Sequence, residues 1–198
     1  MQKIMFNDQY GLTQAVLDGR KTQTRRIAYQ EPFKFYCNCG FCTEGKDKGK
    51  LIVFIDSNEI VAKSTYKIGE VVAVAQSYSH IPCAEETEET FNEEVASAGW
   101  GNKMFVKASL MPHQIKITNI RCERLQDIST DDCMKEGIFC SHIDGIDDAF
   151  SYDATNDSFA KKWWYRTPIE AYKMLSCKLN LHWGINPLVF VYDFELVK

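Results

Sequence analysis

Leu17-Asp18-Gly19-Arg20-Lys21-Thr22-Gln23-Thr24-Arg25-Arg26 joins the end of a helix to the start of a strand. Upstream, Asn7 or Asp8 can cap a helix running from about Asp8 to Asp18. Leu12, Ala15, Val16 and Leu17 give that helix an apolar face, and Gly19 supplies a left-handed stop. A short polar strand over about residues 22–27 follows. Four of the eight residues from Gly19 to Arg26 are cationic and two carry hydroxyls. Lys and Arg donate charge-assisted hydrogen bonds, so such a cluster can hold a phosphate or polarise a carbonyl. It can equally be a strand edge protected by charge. Side chains alternate along a strand, so Lys21 and Thr24 share a face only if Lys21 still belongs to the turn.

The surrounding chain has 198 residues, 45% hydrophobic and 25% charged, with a formal net charge of −4. That balance excludes wholesale disorder and argues against a protein that coats nucleic acid through a broad basic surface. The length suits one domain over residues 1–198. No stretch approaches the roughly 18 apolar residues of a membrane span, and Met1 to Leu12 lacks the apolar region of a signal peptide. A cytoplasmic protein with no membrane partner is expected, and its eight cysteines are read as free thiols or a metal site rather than disulfides.

Residues 31–66 read as an insertion, a cysteine-containing hairpin in which Leu51 to Ile55 forms a strand. Cys37, Cys39 and Cys42 lie close enough to share one metal, with His80 or Cys83 as a fourth ligand. Only one clear knuckle is present, which favours reduced cysteines and no metal or other cofactor. Val71 to Ala75 reads as a buried strand. Residues 85–94 carry six Glu and no basic residue, the composition of a solvated face or of a contact for a basic partner.

Within Gln114 to Leu125 the apolar parity changes, from Ile115 and Ile117 to Ile120 and Cys122. That change predicts a bulge near Thr118–Asn119. A helix follows, capped by Ser129, with Ile128 placed to staple against Cys133 and Gly137 ending it. A second helix starts at Thr167-Pro168-Ile169-Glu170, with Ile169, Tyr172, Leu175 and Leu179 as its apolar stripe. Asn186-Pro187 leads into a last strand, Leu188 to Val197, in which Leu188, Phe190, Tyr192, Phe194 and Leu196 share a face. Strands and helices without a βαβ rhythm point to an α+β fold around a mixed or barrel-like sheet. Trp163-Trp164-Tyr165, with Trp100 and Trp183, could stack bases, but Phe159 and Trp163 at helical spacing favour a helix end and core packing.

Four segments, in order, resemble the ASCH-domain family of the PUA-like superfamily, specifically its phage- and prophage-associated branch. They are Leu17 to Arg26, Tyr66 to Val74, Ile115 to Gly137, and Asn186 to Glu195. Together they cover about half the chain. The resemblance implies a small mixed β-barrel with peripheral helices and a cleft beside the first motif. Some ASCH proteins are amidohydrolases that remove the acyl group of N4-acetylcytidine, and others are thought to bind RNA. The positions matching the hydrolases' catalytic Lys, Thr and Glu are Lys21, Thr24 and Glu136. A Thr hydroxyl needs a base to take its proton, which a desolvated Lys can do, and a carboxyl can protonate the leaving amine. Arg20, Arg25 or Arg26 could bind a nucleic-acid phosphate or steady an oxyanion.

The resemblance thus implies a nucleoside- or RNA-recognising protein, with deacylation of N4-acylated cytidine as its reaction. The alternatives are a non-catalytic RNA- or DNA-binding accessory protein of phage origin and an acidic protein-interaction module built on residues 85–94.

Overall fold

The computed structural model describes residues 1–30, 38–54, 59–81, 98–143, 146–152 and 163–197, with side chains at 142–143 and 146–148 left aside. The Glu-rich run 85–94, Cys37, Cys83, Phe159 and the His142 side chain lie outside the described residues.

The described residues form an α+β fold with β1 (Lys3–Ile4), α1 (Leu12–Leu17), β2 (Gln23–Tyr29), β3 (Asn38–Phe41), β4 (Leu51–Phe54), β5 (Ile60–Lys63), β6 (Val71–Val74) and β7 (Gln114–Arg124). Then come α2 (Thr130–Lys135), β8 (Phe139–Ile143), β9 (Ile146–Ser151), α3 (Pro168–Lys178) and β10 (Leu188–Leu196). The main sheet has the order β1-β6-β7-β10-β2, antiparallel except for the β1–β6 pair. The bulge read from apolar parity is present. Asn119 lies opposite Asp193 and Ile117 opposite Phe194, which leaves Thr118 with no residue across from it. The extra residue turns Ile115, Ile117 and Ile120 all inward despite their mixed parity.

β10 differs from the one-faced strand expected. Leu188 to Tyr192 are buried without alternation, because the strand lies between β7 and β2 with both faces covered. The inserted hairpin also has a third strand. β3, β4 and β5 make an antiparallel sheet, and Leu51 and Val53 of β4 are buried in the main hydrophobic cluster with Val72, Ile115 and Tyr192. The insertion therefore completes the core, with β4 against β7 and β5 against β2.

The first expected helix is split. Asn7 caps a 3-10 turn over Asp8–Tyr10, and Gly11, with φ +67°, separates it from α1. Both later helices start where the caps indicate. Ser129 accepts from the Asp132 amide at 3.1 Å, and Thr167 accepts from the Glu170 amide at 3.2 Å. Ile128 and Cys133 are both buried, as a staple requires. On α3 the buried stripe is Pro168, Ala171, Tyr172 and Leu175, so Ile169 faces outward at 39% exposure. Trp163 to Tyr165 is not a helix end: Tyr165 exchanges backbone hydrogen bonds with Phe150, and Trp163 is exposed. No helix among the described residues is long and apolar enough to cross a membrane.

Candidate functional site

The turn after α1 answers the geometric condition on the cationic motif. Gly19, at φ +72°, returns its amide to Val16, and the Lys21 amide bonds to the Ala15 carbonyl at 2.8 Å. β2 starts only at Gln23, so Lys21 belongs to the turn and is free of strand alternation. The Thr22 amide donates to the Lys135 carbonyl at 2.9 Å, docking the motif on the end of α2.

α2 brings Glu136 to the same place. Glu136 is the C-cap residue, its amide bonded to the Asp132 carbonyl, and Gly137 turns the chain away at φ +98°. A residue that sequence position alone would leave in solvent is 3% exposed. Lys21 Nζ donates to Glu136 Oε2 and to the Glu136 carbonyl, each at 2.6 Å, across 115 residues of chain. Arg25 Nη1 donates to Glu136 Oε1 at 3.0 Å. Both carboxylate oxygens are therefore occupied by cationic donors.

Behind this pair lies a network that sequence reading missed. Arg25 also donates to Glu123 at 2.5 Å, to Asp132 at 3.2 Å and to Gln23 at 2.5 Å. Arg121 bonds Glu123, Asp132 and Asp193 at 3.0, 2.5 and 3.0 Å. The available signal was the alternation Arg121-Cys122-Glu123, which puts both charges on one face of an interior strand. The Arg25 guanidinium also stacks 5.8 Å from the Tyr172 ring centre. The Tyr172 hydroxyl is buried and finds no hydrogen-bond partner among the described residues.

Burial dominates the electrostatics. It pulls the Lys21 pKa below its usual value against the opposing pull of Glu136, and Arg26 and Arg25 add to the lowering. Burial also disfavours the Arg25 charge, but Glu136, Tyr172 and Glu123 outweigh it and hold that pKa above the ordinary arginine value. For Asp132 the cost of burial is overcome by Gln23, Arg121 and Arg25, which hold its carboxyl below the usual range. Burial raises the Cys133 thiol to about 12, so it is no nucleophile.

Lys21, Thr24, Arg25, Arg26 and Glu136 line one cavity of about 440 Å³, completed by Phe6, Leu12, Leu181 and Lys103 among others. Its size falls in the range of small-molecule sites, and its wall mixes apolar groups with a few convergent polar ones. Lys103, which has no signal in the sequence, pairs with Asp8 at 2.8 Å and also bonds the Phe6 carbonyl. The three arginines separate. Arg26 is exposed and holds the Met5 carbonyl at 2.6 Å with one nitrogen. Arg20 pairs with Asp18 at 3.1 Å and is not part of the cavity wall. Arg25 borders the cavity, but its side chain is fully covered and engaged by three carboxylates.

The cysteine cluster does not assemble among the described residues. Cys42 Sγ faces the Glu44 carbonyl at 3.2 Å, and His80 Nδ1 is 2.6 Å from Ser77 Oγ. No group of three or more His, Cys, Asp or Glu that could hold a metal is found among those residues. Comparison of the chain with family models, with curated proteins and with solved structures finds no match.

Proposed function

We propose that this chain is an ASCH-type, PUA-like domain that takes a nucleoside, free or in RNA, into the cavity beside Lys21 and Thr24. The reaction proposed there is deacylation of N4-acylated cytidine. One observation carries the proposal: Lys21 and Glu136 form a buried pair 2.6 Å apart on the wall of a cavity that Thr24 also borders. The small sheet β3–β5 against β7 and β2 is consistent with a barrel-like closure.

In this reading the Thr24 hydroxyl attacks the acyl carbon and gives its proton to Lys21, whose lowered pKa favours the neutral amine needed to accept it. The same proton then passes to the departing amine, so Lys21 acts as base and then as acid. Water afterwards releases the acid from Thr24. Glu136 differs from the acid role that the family resemblance assigns to it. With both oxygens accepting hydrogen bonds, it orients Lys21. Arg25 positions Glu136 rather than contacting phosphate, which leaves Arg26 as the exposed cation at the cavity.

The test is acetate release from N4-acetylcytidine, followed with wild type and Lys21→Ala at high enzyme concentration. Turnover by wild type, lost in the variant, supports the proposal. Absence of turnover by wild type rejects the reaction. If N4-acetylcytidine still binds, the non-catalytic RNA-binding reading takes its place, with oligonucleotide affinity that falls with salt and in Arg26→Ala.

A further inference from the structure

A second cavity, of about 300 Å³, shares Asp8 with the cavity beside Lys21 and otherwise has its own wall. α1 supplies one side of it through Thr13 and Gln14. The chain just past β6 supplies the other through Gln76, Ser77 and His80. Tyr78 anchors that segment: its ring is buried, and its hydroxyl accepts from the Lys107 amide at 2.9 Å. The Ser77 hydroxyl and His80 Nδ1 are 2.6 Å apart, so these two groups largely satisfy each other.

The remaining polar groups of the wall are acceptors. The Gln76 side-chain oxygen is buried and finds no hydrogen-bond partner among the described residues. Such an oxygen costs free energy until a donor reaches it. Asp8 is half exposed and brings a carboxylate. Its Oδ1 accepts from Thr13 and its Oδ2 pairs with Lys103 at 2.8 Å, so each oxygen has room for a second donor. No Lys or Arg stands among the described residues of this wall. Negative charge and open acceptors in a cavity of small-ligand size suit a cation that carries N–H donors. A metal fits less well, because Asp8 and His80 do not belong to any group of three ligating side chains among the described residues.

We infer that this second cavity binds a small organic ammonium, which donates to Asp8 and to the Gln76 side-chain oxygen in competition with Lys103. Lys103 lines the first cavity and not the second. A carboxylate shared by two cations holds each less tightly than it holds one alone. Occupancy of the second cavity therefore loosens a side chain on the wall of the first, and by linkage the reverse also holds. The inference stands apart from deacylation, since its readout is amine binding.

The test is calorimetric titration of the full chain at low salt with putrescine, a short diamine, and with the butanediol of the same length. Wild type should bind one putrescine and no diol. Asp8→Asn and Gln76→Leu should each weaken putrescine binding about tenfold, the worth of a hydrogen bond from a charged donor. Lys103→Met removes the competitor and should tighten binding several-fold. Asp47→Asn, at a carboxylate outside this wall, should change nothing. The inference is overturned if wild type does not bind putrescine, or binds the diol equally well. It is also overturned if Gln76→Leu binds like wild type, if Lys103→Met weakens binding, or if Asp47→Asn weakens it as much as Asp8→Asn does. Gln76→Leu removes a buried acceptor without a partner and should keep the fold, so it decides the matter even if circular dichroism shows Asp8→Asn unfolded.

Discussion

Asp47 and Glu136 each sit between two cations, and burial makes them different objects. Asp47, in the loop between β3 and β4, is half-buried and takes Lys50 at 3.1 Å and the exposed Lys63 at 2.8 Å, where water still reaches the group. Glu136 takes Lys21 at 2.6 Å and Arg25 at 3.0 Å in the core. The connectivity is nearly the same. Water screens the first trio, and its long side chains lose entropy in being held, so the ion pairs add little. The second trio has given up its hydration, so each member depends on the others. A carboxylate between two cations is therefore decoration at one place and a constraint on a cavity wall at the other.

The sharpest way to break this contrast is to remove the two carboxylates. Glu136→Ala leaves the buried Arg25 charge and the Lys21 amine without their acceptor and should cost about 3–5 kcal/mol in urea denaturation. Asp47→Ala should cost no more than about 1 kcal/mol. Equal effects would end the distinction.

A smaller effect tests how the buried trio is placed. Gly137 adopts φ +98°, and a Cβ there would lie 3.4 Å from Leu12 and 3.5 Å from the Lys21 side chain. Gly137→Ala should cost about 1–2 kcal/mol through the left-handed backbone alone. It should also weaken any ligand of the cavity, since it displaces Glu136 and Lys21 together.

The next test is in pH. Lys21 has a lowered pKa in the folded chain, so between that value and 10.5 the unfolded chain binds the proton more tightly. Stability contributed by this group therefore rises with pH in that interval. Lys21→Met should flatten the rise on the approach to pH 10.5, measured as denaturation midpoints against wild type. The smallest effect is at Asp47, whose hydrogen bonds to Lys63 and Lys50 bring it from 3.8 down to about 2. Its contribution is present above 3.8 and fades as pH falls towards 2. An NMR titration of the Asp47 carboxyl should show a midpoint near 2, and Lys63→Ala should move it upward.

Much of the fold was legible because its signals are local. The caps at Ser129 and Thr167, the Gly19 stop and the Thr118 bulge each follow from a few neighbouring residues. The misreadings lie where distant chain decides. β10 alternates less than expected because both of its faces are packed against the core. Residues 31–66 look like an appendage in sequence, yet β4 fills the core. The site divides in the same way. Lys21 and Thr24 were readable from one motif, whereas the burial of Glu136 depends on Arg25 and Lys21 arriving from 111 and 115 positions away. Lys103 and the Arg121–Glu123–Asp132 network reach the site only through tertiary contacts.

The central claim is that Thr24 supplies the attacking hydroxyl in a cavity set by Lys21 and Glu136. Thr24→Val keeps the side chain's shape and removes only that hydroxyl. Incubated with N4-acetylcytidine and followed by chromatography, wild type should produce cytidine and acetate in equal amounts, while Thr24→Val should bind the nucleoside and leave it intact. Conversion by Thr24→Val at the wild-type rate would contradict the claim.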